Sequence, residues 1–234
     1  MIRIKSTLAA FGLLAAGLVV PQTTAMAAPT TGEHAKAGTC SMVMPARFTI
    51  RAAVTNFTIP LAQNCRTAQM SGADWVGATT GSTDKQFLFF DDTTYTARFT
   101  FYAPYDALGR TTWVGTGAYD QDFNDIAQTN ATSYTKYGSS ATIIGGRKGT
   151  KTALVATVGY YNPKLNQYVR WPNKPITFQY HEKGSTVWKF LKSVTTNKTG
   201  QAAYTYYPNK TRTYRAYVPQ NATLWDYYTV AISR

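Results

Sequence analysis

Apolar residues in this chain recur at alternate positions over short runs, and each run is closed by Gly, Pro, Asn or Lys. In the stretch Ser185–Tyr217, Val187-Trp-Lys-Phe-Leu is followed by Thr-Thr-Asn-Lys-Thr-Gly200, then by Tyr204-Thr-Tyr-Tyr-Pro208 and Thr213-Tyr-Arg-Ala-Tyr217. Period two bounded by turn residues predicts strands joined by tight connections, not helices. In the first half, Phe48, Ile50 and Ala52 alternate with Arg47, Thr49 and Arg51, and Tyr95, Ala97, Phe99 and Phe101 give the cleanest strand. Phe57 to Leu61 continues as an extended segment in which Pro60 marks an edge. Phe87-Leu-Phe-Phe reads as a compact apolar run, and Thr112 to Tyr119 as a strand loosened by two glycines. Trp75 falls between turn residues in Ser71-Gly-Ala-Asp-Trp-Val-Gly77. No window has a helical period. The second half predicts Thr152–Tyr160 as a strand with Leu154 inward. It then places Ile176, Phe178 and Tyr180 on one strand, and Trp188, Phe190 or Leu191, and Val194 on the next. The fold class is therefore all-β: two tandem β-sandwiches of the immunoglobulin-like kind, behind a leader and a short tail.

The leader changes the compartment. Arg3 and Lys5 precede the mostly apolar Leu8–Val20, and Ala25-Met-Ala27 supplies a small-residue cleavage site, the three-part pattern of a secretory signal peptide over 1–27. A retained membrane anchor fits less well, since a span needs about 20 apolar residues. Residues 28–38 are small and polar, a flexible tail that serves as a spacer or orders on a partner. Clustered glycines near Gly145 divide the remainder into domains 39–145 and 146–234, with Ala141–Ile144 assignable to either. Cys40 and Cys65 are the only cysteines, and in an oxidising compartment two thiols of one chain ordinarily pair. A reactive or metal-binding cysteine would need a nearby histidine, and only His34 and His181 exist.

The net charge of +13 is unevenly placed. From Gly146 onward, fourteen basic residues stand against Glu182 and Asp226, whereas Gly38–Gly145 carries seven basic residues and eight aspartates. A +12 half beside a −1 half predicts two surfaces with different partners. Anionic cell-wall polymer or other secreted and surface proteins suit the basic half, and nucleic acid is not expected. Lys189, Lys192, Arg212 and Arg215 are its binding candidates, with Tyr207 and Tyr228. The tyrosine pairs 160–161, 206–207 and 227–228 must each turn one ring outward on a regular strand. Asn56, Asn130, Asn197, Asn209 and Asn221 each open an Asn-x-Thr triplet, read as a product of Thr-rich composition.

Catalytic patterns are sparse. There is no Gly-x-Ser-x-Gly elbow and no His-Glu-x-x-His helix, and His181 has no nucleophile motif beside it. Paired carboxylates of the glycosidase kind need only two of the aspartates, Asp91 and Asp120 among them. Asp120, Asp122 and Asp125 form a loop cluster able in principle to hold calcium, but without the glycine and distal glutamate of an EF-hand. No cofactor is implied.

At Tyr214-Arg-Ala216, a tyrosine stands two positions before a core residue near the start of the penultimate strand, the placement of a tyrosine corner. With Val187-Trp-Lys-Phe-Leu, the Asn197-Lys-Thr-Gly200 turn and Thr213-Tyr-Arg-Ala-Tyr217, residues Thr150–Ser233 resemble secreted, actinobacterial-type immunoglobulin-like domains. The resemblance implies structural roles for Trp188 and Tyr214 and non-catalytic spacers or binders attached to enzymes, adhesins or toxin assemblies. The first half resembles no named family. Three functions follow as expectations: a non-catalytic binding or adaptor protein, such as a subunit of a secreted particle; a polysaccharide hydrolase or wall-binding accessory protein; and a cationic antimicrobial component.

Overall fold

The computed structural model describes residues 38–234. The leader and all but the last residue of the tail lie outside them. The described part is all-β, two β-sandwiches in tandem, each with its own core. One five-residue helix, Gln63–Thr67, interrupts the strands; it is too short to leave a periodic signal, and it places Cys65 in the core. Cys65 is disulfide-bonded to Cys40, the pairing expected of the two cysteines.

In the first half, a five-stranded sheet runs in the order Arg47–Ile50, Ala131–Tyr137, Gly109–Asp120, Met70–Thr79, Lys85–Asp91. Its pairs are antiparallel except Arg47–Ile50 with Ala131–Tyr137. The antiparallel pair Val54–Pro60 and Thr96–Tyr102 supplies Ile59, Phe99 and Phe101 to the same core as Phe48, Trp75, Phe90 and Trp113. Trp75 does not sit at a turn. It is fully buried in the middle of a ten-residue strand, and the glycines around it have another cause. A Cβ on Gly77 would come within 2.7 Å of the Trp113 ring, and one on Gly72 within 2.5 Å of Tyr119. Glycine here admits a neighbouring aromatic side chain instead of turning the chain. The run Phe87–Phe90 is also divided by the pleat, with Leu88 and Phe90 inside and Phe87 and Phe89 exposed.

In the second half, Ser139–Lys148 pairs with Lys151–Asn162 over its whole length, turning at Gly149 with φ +59°. Lys151–Asn162 also pairs with Gln167–Arg170 and Gln201–Tyr206. The opposing sheet runs Lys189–Thr195, Pro175–Glu182, Arg212–Val218, with Tyr227–Tyr228 and Ile232–Ser233 both on the last of these. Leu154, Ala156, Val158, Ile176, Phe178, Tyr214, Ala216 and Val218 fill the space between them. Ala141 and Ile143 join this second core, and their strand passes through Gly145 unbroken.

The two cores meet along a hydrogen-bonded seam. Tyr137 and Leu224 form a parallel bridge, and Tyr161, from the second half, packs into the first core. Trp225 is buried at this seam: its indole N–H donates to the Phe48 carbonyl at 2.8 Å and its backbone N–H to that of Tyr137 at 3.0 Å. Arg47 stacks over the same indole at 3.9 Å and pairs with Asp226 at 2.6 Å.

Candidate binding surface

Alternation in the second sheet sends Ile176, Phe178, Tyr214, Ala216 and Val218 inward, which leaves the residues between them on the outer face. Register aligns these across strands: Phe190 with Gln179, Gln179 with Arg215, and Thr177 with Tyr217, which in turn faces Tyr228. A bulge between Phe178 and Gln179 turns Phe190 out to 67% exposure while Leu191 and Val194 pack against the core. Tyr228 is held in place because Thr229 bonds Ala216 twice: its N–H donates to the Ala216 carbonyl, and its hydroxyl oxygen accepts from the Ala216 N–H.

Arg215 is the centre of this face. Its guanidinium carbon lies 4.1 Å from the Trp188 ring centre and 4.2 Å from that of Tyr228, so the cation links the two rings. Its Nε donates to Gln179 Oε1 at 2.7 Å. Tyr228 stacks on Tyr217 at 4.6 Å, and His181 meets Trp188 edge-on at 4.6 Å. The result is a chain of rings, His181–Trp188–Arg215–Tyr228–Tyr217, with one guanidinium inside it. Burial pulls the Arg215 pKa below its ordinary value, but a guanidinium starts so high that it stays charged.

The two acids of this half are already engaged. Glu182 is ion-paired with Arg212 at 3.0 Å and with Lys210 at 3.1 Å, and Asp226 with Arg47. These are the ion pairs among the described residues, so Arg215, Lys189 and Lys192 have no carboxylate partner there.

The six binding candidates therefore separate. Arg215 and Tyr228 come together on the outer face, whereas Lys189 and Lys192, exposed on the edge strand, stand in register with the inward-facing Tyr180 and Phe178 and so lie at the sheet edge, off that face. Arg212 is drawn into an internal network with Glu182 and the Tyr180 ring, 4.3 Å away. Tyr207, 69% exposed, lies at the end of a strand of the opposite sheet. Each tyrosine pair does turn one ring outward: Tyr207 and Tyr228 are exposed, and Tyr160 is half-buried beside a fully buried Tyr161. Gln179, Phe190 and Tyr217 belong to the surface without having been singled out from the sequence. Their outward positions follow from alternation, but their adjacency depends on which strands pair.

Trp188 is half-buried on the outer face and is part of the surface, not of the core. Tyr214 is fully buried as expected, but its hydroxyl is 2.8 Å from the Tyr206 hydroxyl instead of reaching backbone as a tyrosine corner does. Burial, and that hydroxyl, raise its pKa well above the ordinary phenol value. The Asp120 loop does not assemble a calcium site. Asp120 accepts from the Asp122 and Asn124 backbone N–H groups at 2.9 and 2.8 Å and from the Asn124 side chain at 3.0 Å. Its carboxylate closes the turn, and the described residues contain no cluster of three metal-ligating side chains. Asp91 does the same work at another turn, accepting from Thr93 and Thr94. These bonds, the Thr93 hydroxyl first, lower its pKa to about 2.

A cleft of about 380 Å³ lies at the junction of the halves, lined by Tyr137, Tyr160, Tyr161, Pro163, Lys164 and Leu224. Two of its phenols are already engaged, Tyr137 with the Ala103 carbonyl at 2.8 Å and Tyr161 with Asn166 at 2.9 Å.

No protein-family model matches the chain, and no curated protein matches it in sequence. Among solved structures it is similar to a cytokine receptor complex, at 12% identity and TM-score 0.36 over 77% of this chain and 94% of that one. It is likewise similar to a two-domain fibronectin type-III segment of chicken tenascin, at 11% identity and TM-score 0.33 over 80% and 94% of the two chains. The ligand-binding domain of human OSCAR matches at 12% identity and TM-score 0.29 over 84% and 98%. Likenesses this distant carry no functional weight.

Proposed function

We propose that the protein is a secreted, non-catalytic binding or adaptor protein whose basic C-terminal sandwich meets an anionic partner through the Arg215 face. The observation that carries this reading is the unneutralised charge around an ordered aromatic surface: Glu182 and Asp226 are both paired, and Arg215, Lys189 and Lys192 are not. Aromatic side chains and Arg at the centre with Lys at the margin is the composition of a protein-contact surface. The near-neutral first half leaves room for a second, different partner, as an adaptor requires. The disulfide belongs to an oxidising compartment, in keeping with the leader. A non-catalytic role agrees with the state of Asp91 and Asp120, each committed to its own turn and held more acidic than usual. A general acid needs the opposite shift.

The test is affinity capture from culture supernatant at low salt, followed by elution over a salt series. A specific protein released by rising salt is expected, and an Arg215→Ala variant should lose it. Recovery of a free monomer, with neither a captured protein nor binding to cell walls at low salt, would sink the proposal.

A further inference from the structure

We infer that Arg215 is a carboxylate-recognition subsite, built to take an Asp or Glu side chain from an acidic segment of a partner protein. This deepens the proposed function and rests on it. The Arg215 guanidinium has more donors than its neighbours use. Arginine has five N–H donors in one plane, and Nε–H is bound by Gln179 Oε1 at 2.7 Å. The Trp188 and Tyr228 ring centres lie 4.1 and 4.2 Å from the guanidinium carbon, and neither residue takes one of its N–H groups in a hydrogen bond. Neither terminal nitrogen bonds to any described residue, so the outer edge of the fork is open while its orientation is held by three neighbours. A fork held in this way has little side-chain freedom left to lose on binding. The acceptor that matches two parallel N–H groups in one plane is a carboxylate.

The surroundings favour a protein source over a polymer. Phe190, in register with Gln179, is 67% exposed on this face, and Tyr228 is 44% exposed, so a ligand seated on Arg215 also covers apolar area. A repeating anionic polymer gains little from such area, whereas an acidic residue flanked by apolar side chains gains from both. Lys189 and Lys192, exposed at the sheet edge in register with the inward-facing Tyr180 and Phe178, add long-range attraction for an acidic segment without sharing the Arg215 face. Contacts of that sort steer encounter more than they hold the complex.

The probe is a fluorescein-labelled peptide of Glu residues interspersed with Leu, compared with an oligophosphate of matched charge and read by anisotropy against the full chain. The peptide should bind saturably, and Arg215→Lys, which keeps the charge and removes the fork, should weaken it about tenfold. Lys192→Ala should weaken it only about twofold while flattening the salt dependence. In the natural protein, adding the peptide should shift the ¹⁵Nε signal of Arg215, a readout that does not depend on any variant folding. Peptide binding unchanged by Arg215→Lys, with an unmoved Arg215 signal, would reduce the residue to a structural link between two rings. Oligophosphate binding of equal strength and equal dependence on Arg215 would overturn the carboxylate assignment in favour of a phosphate polymer. If the peptide fails to bind while the supernatant still yields a captured partner, this inference falls and the binding role stands.

Discussion

Trp225 offers the sharpest test of whether the two sandwiches act as one body. It is 7% exposed, its N–H donates to Phe48 across the seam, and Arg47 and Lys136 lie 3.9 and 4.8 Å from its ring. Truncating a buried Trp to Ala costs about 3–5 kcal/mol. Of that, the indole hydrogen bond accounts for about 1 kcal/mol, and the stacked cations for about 0.5–1 kcal/mol each at a partly open site. Trp225→Phe keeps most of the apolar ring and should cost about 1–2 kcal/mol, because the Phe48 carbonyl loses its donor. For a chain of this size the Ala variant should melt roughly 6–20 °C lower, at about 2–4 °C per kcal/mol. The form of the transition matters more than its midpoint. Each half has its own core, so loosening the seam should split one cooperative urea transition into two, each with a smaller denaturant slope. A Trp225→Ala protein that still unfolds in one step and loses less than about 1 kcal/mol would show that the seam is held elsewhere.

Replacing Cys40 and Cys65 together by Ser should remove about 3 kcal/mol, from the loop-closure entropy of a 25-residue separation, seen as a lower urea midpoint. Gly77→Ala should cost about 1–3 kcal/mol, because its new methyl meets the buried Trp113 ring; thermal melting with near-ultraviolet circular dichroism would show both the loss and the altered tryptophan environment. Asp91 gives a pH prediction. Its folded pKa, about 2, lies below its unfolded value near 4, so its contribution is present above about pH 4 and is lost as pH falls towards 2. Asp91→Asn should therefore flatten the acid limb of a stability-versus-pH curve between those values, and an unchanged limb would refute the assignment.

Much of the β-architecture was legible from local pattern, because a strand with one buried face writes its period into the sequence. Phe99 and Phe101, Ile176 and Phe178, and Tyr214 and Ala216 all face inward where alternation places them. Where the structure departs from the local pattern, the physical reasons can be named. Gly72 and Gly77 look like turn signals around Trp75 in the sequence, but the same residue serves both a turn and a close approach of an aromatic side chain, and only the neighbour distinguishes them. The Gln63–Thr67 helix was invisible because five residues hold too few periods to register. Tyr214 was placed correctly by its spacing, yet its hydroxyl partner, Tyr206, comes from another strand and carries no local signature.

The binding face divides in the same way. By itself the sequence determined that the C-terminal half is strongly cationic, rich in tyrosine and made of strands that must turn some of those rings to solvent. Charge count and period two are properties of the chain, independent of how it folds. Only the tertiary structure decided which cations remain free. Arg212 and Arg215 are three residues apart, yet register puts Arg212 beside Glu182 and Arg215 beside Gln179, Trp188 and Tyr228. One charge is neutralised internally and the other is held open because strand pairing, which is non-local, chooses each residue's neighbours.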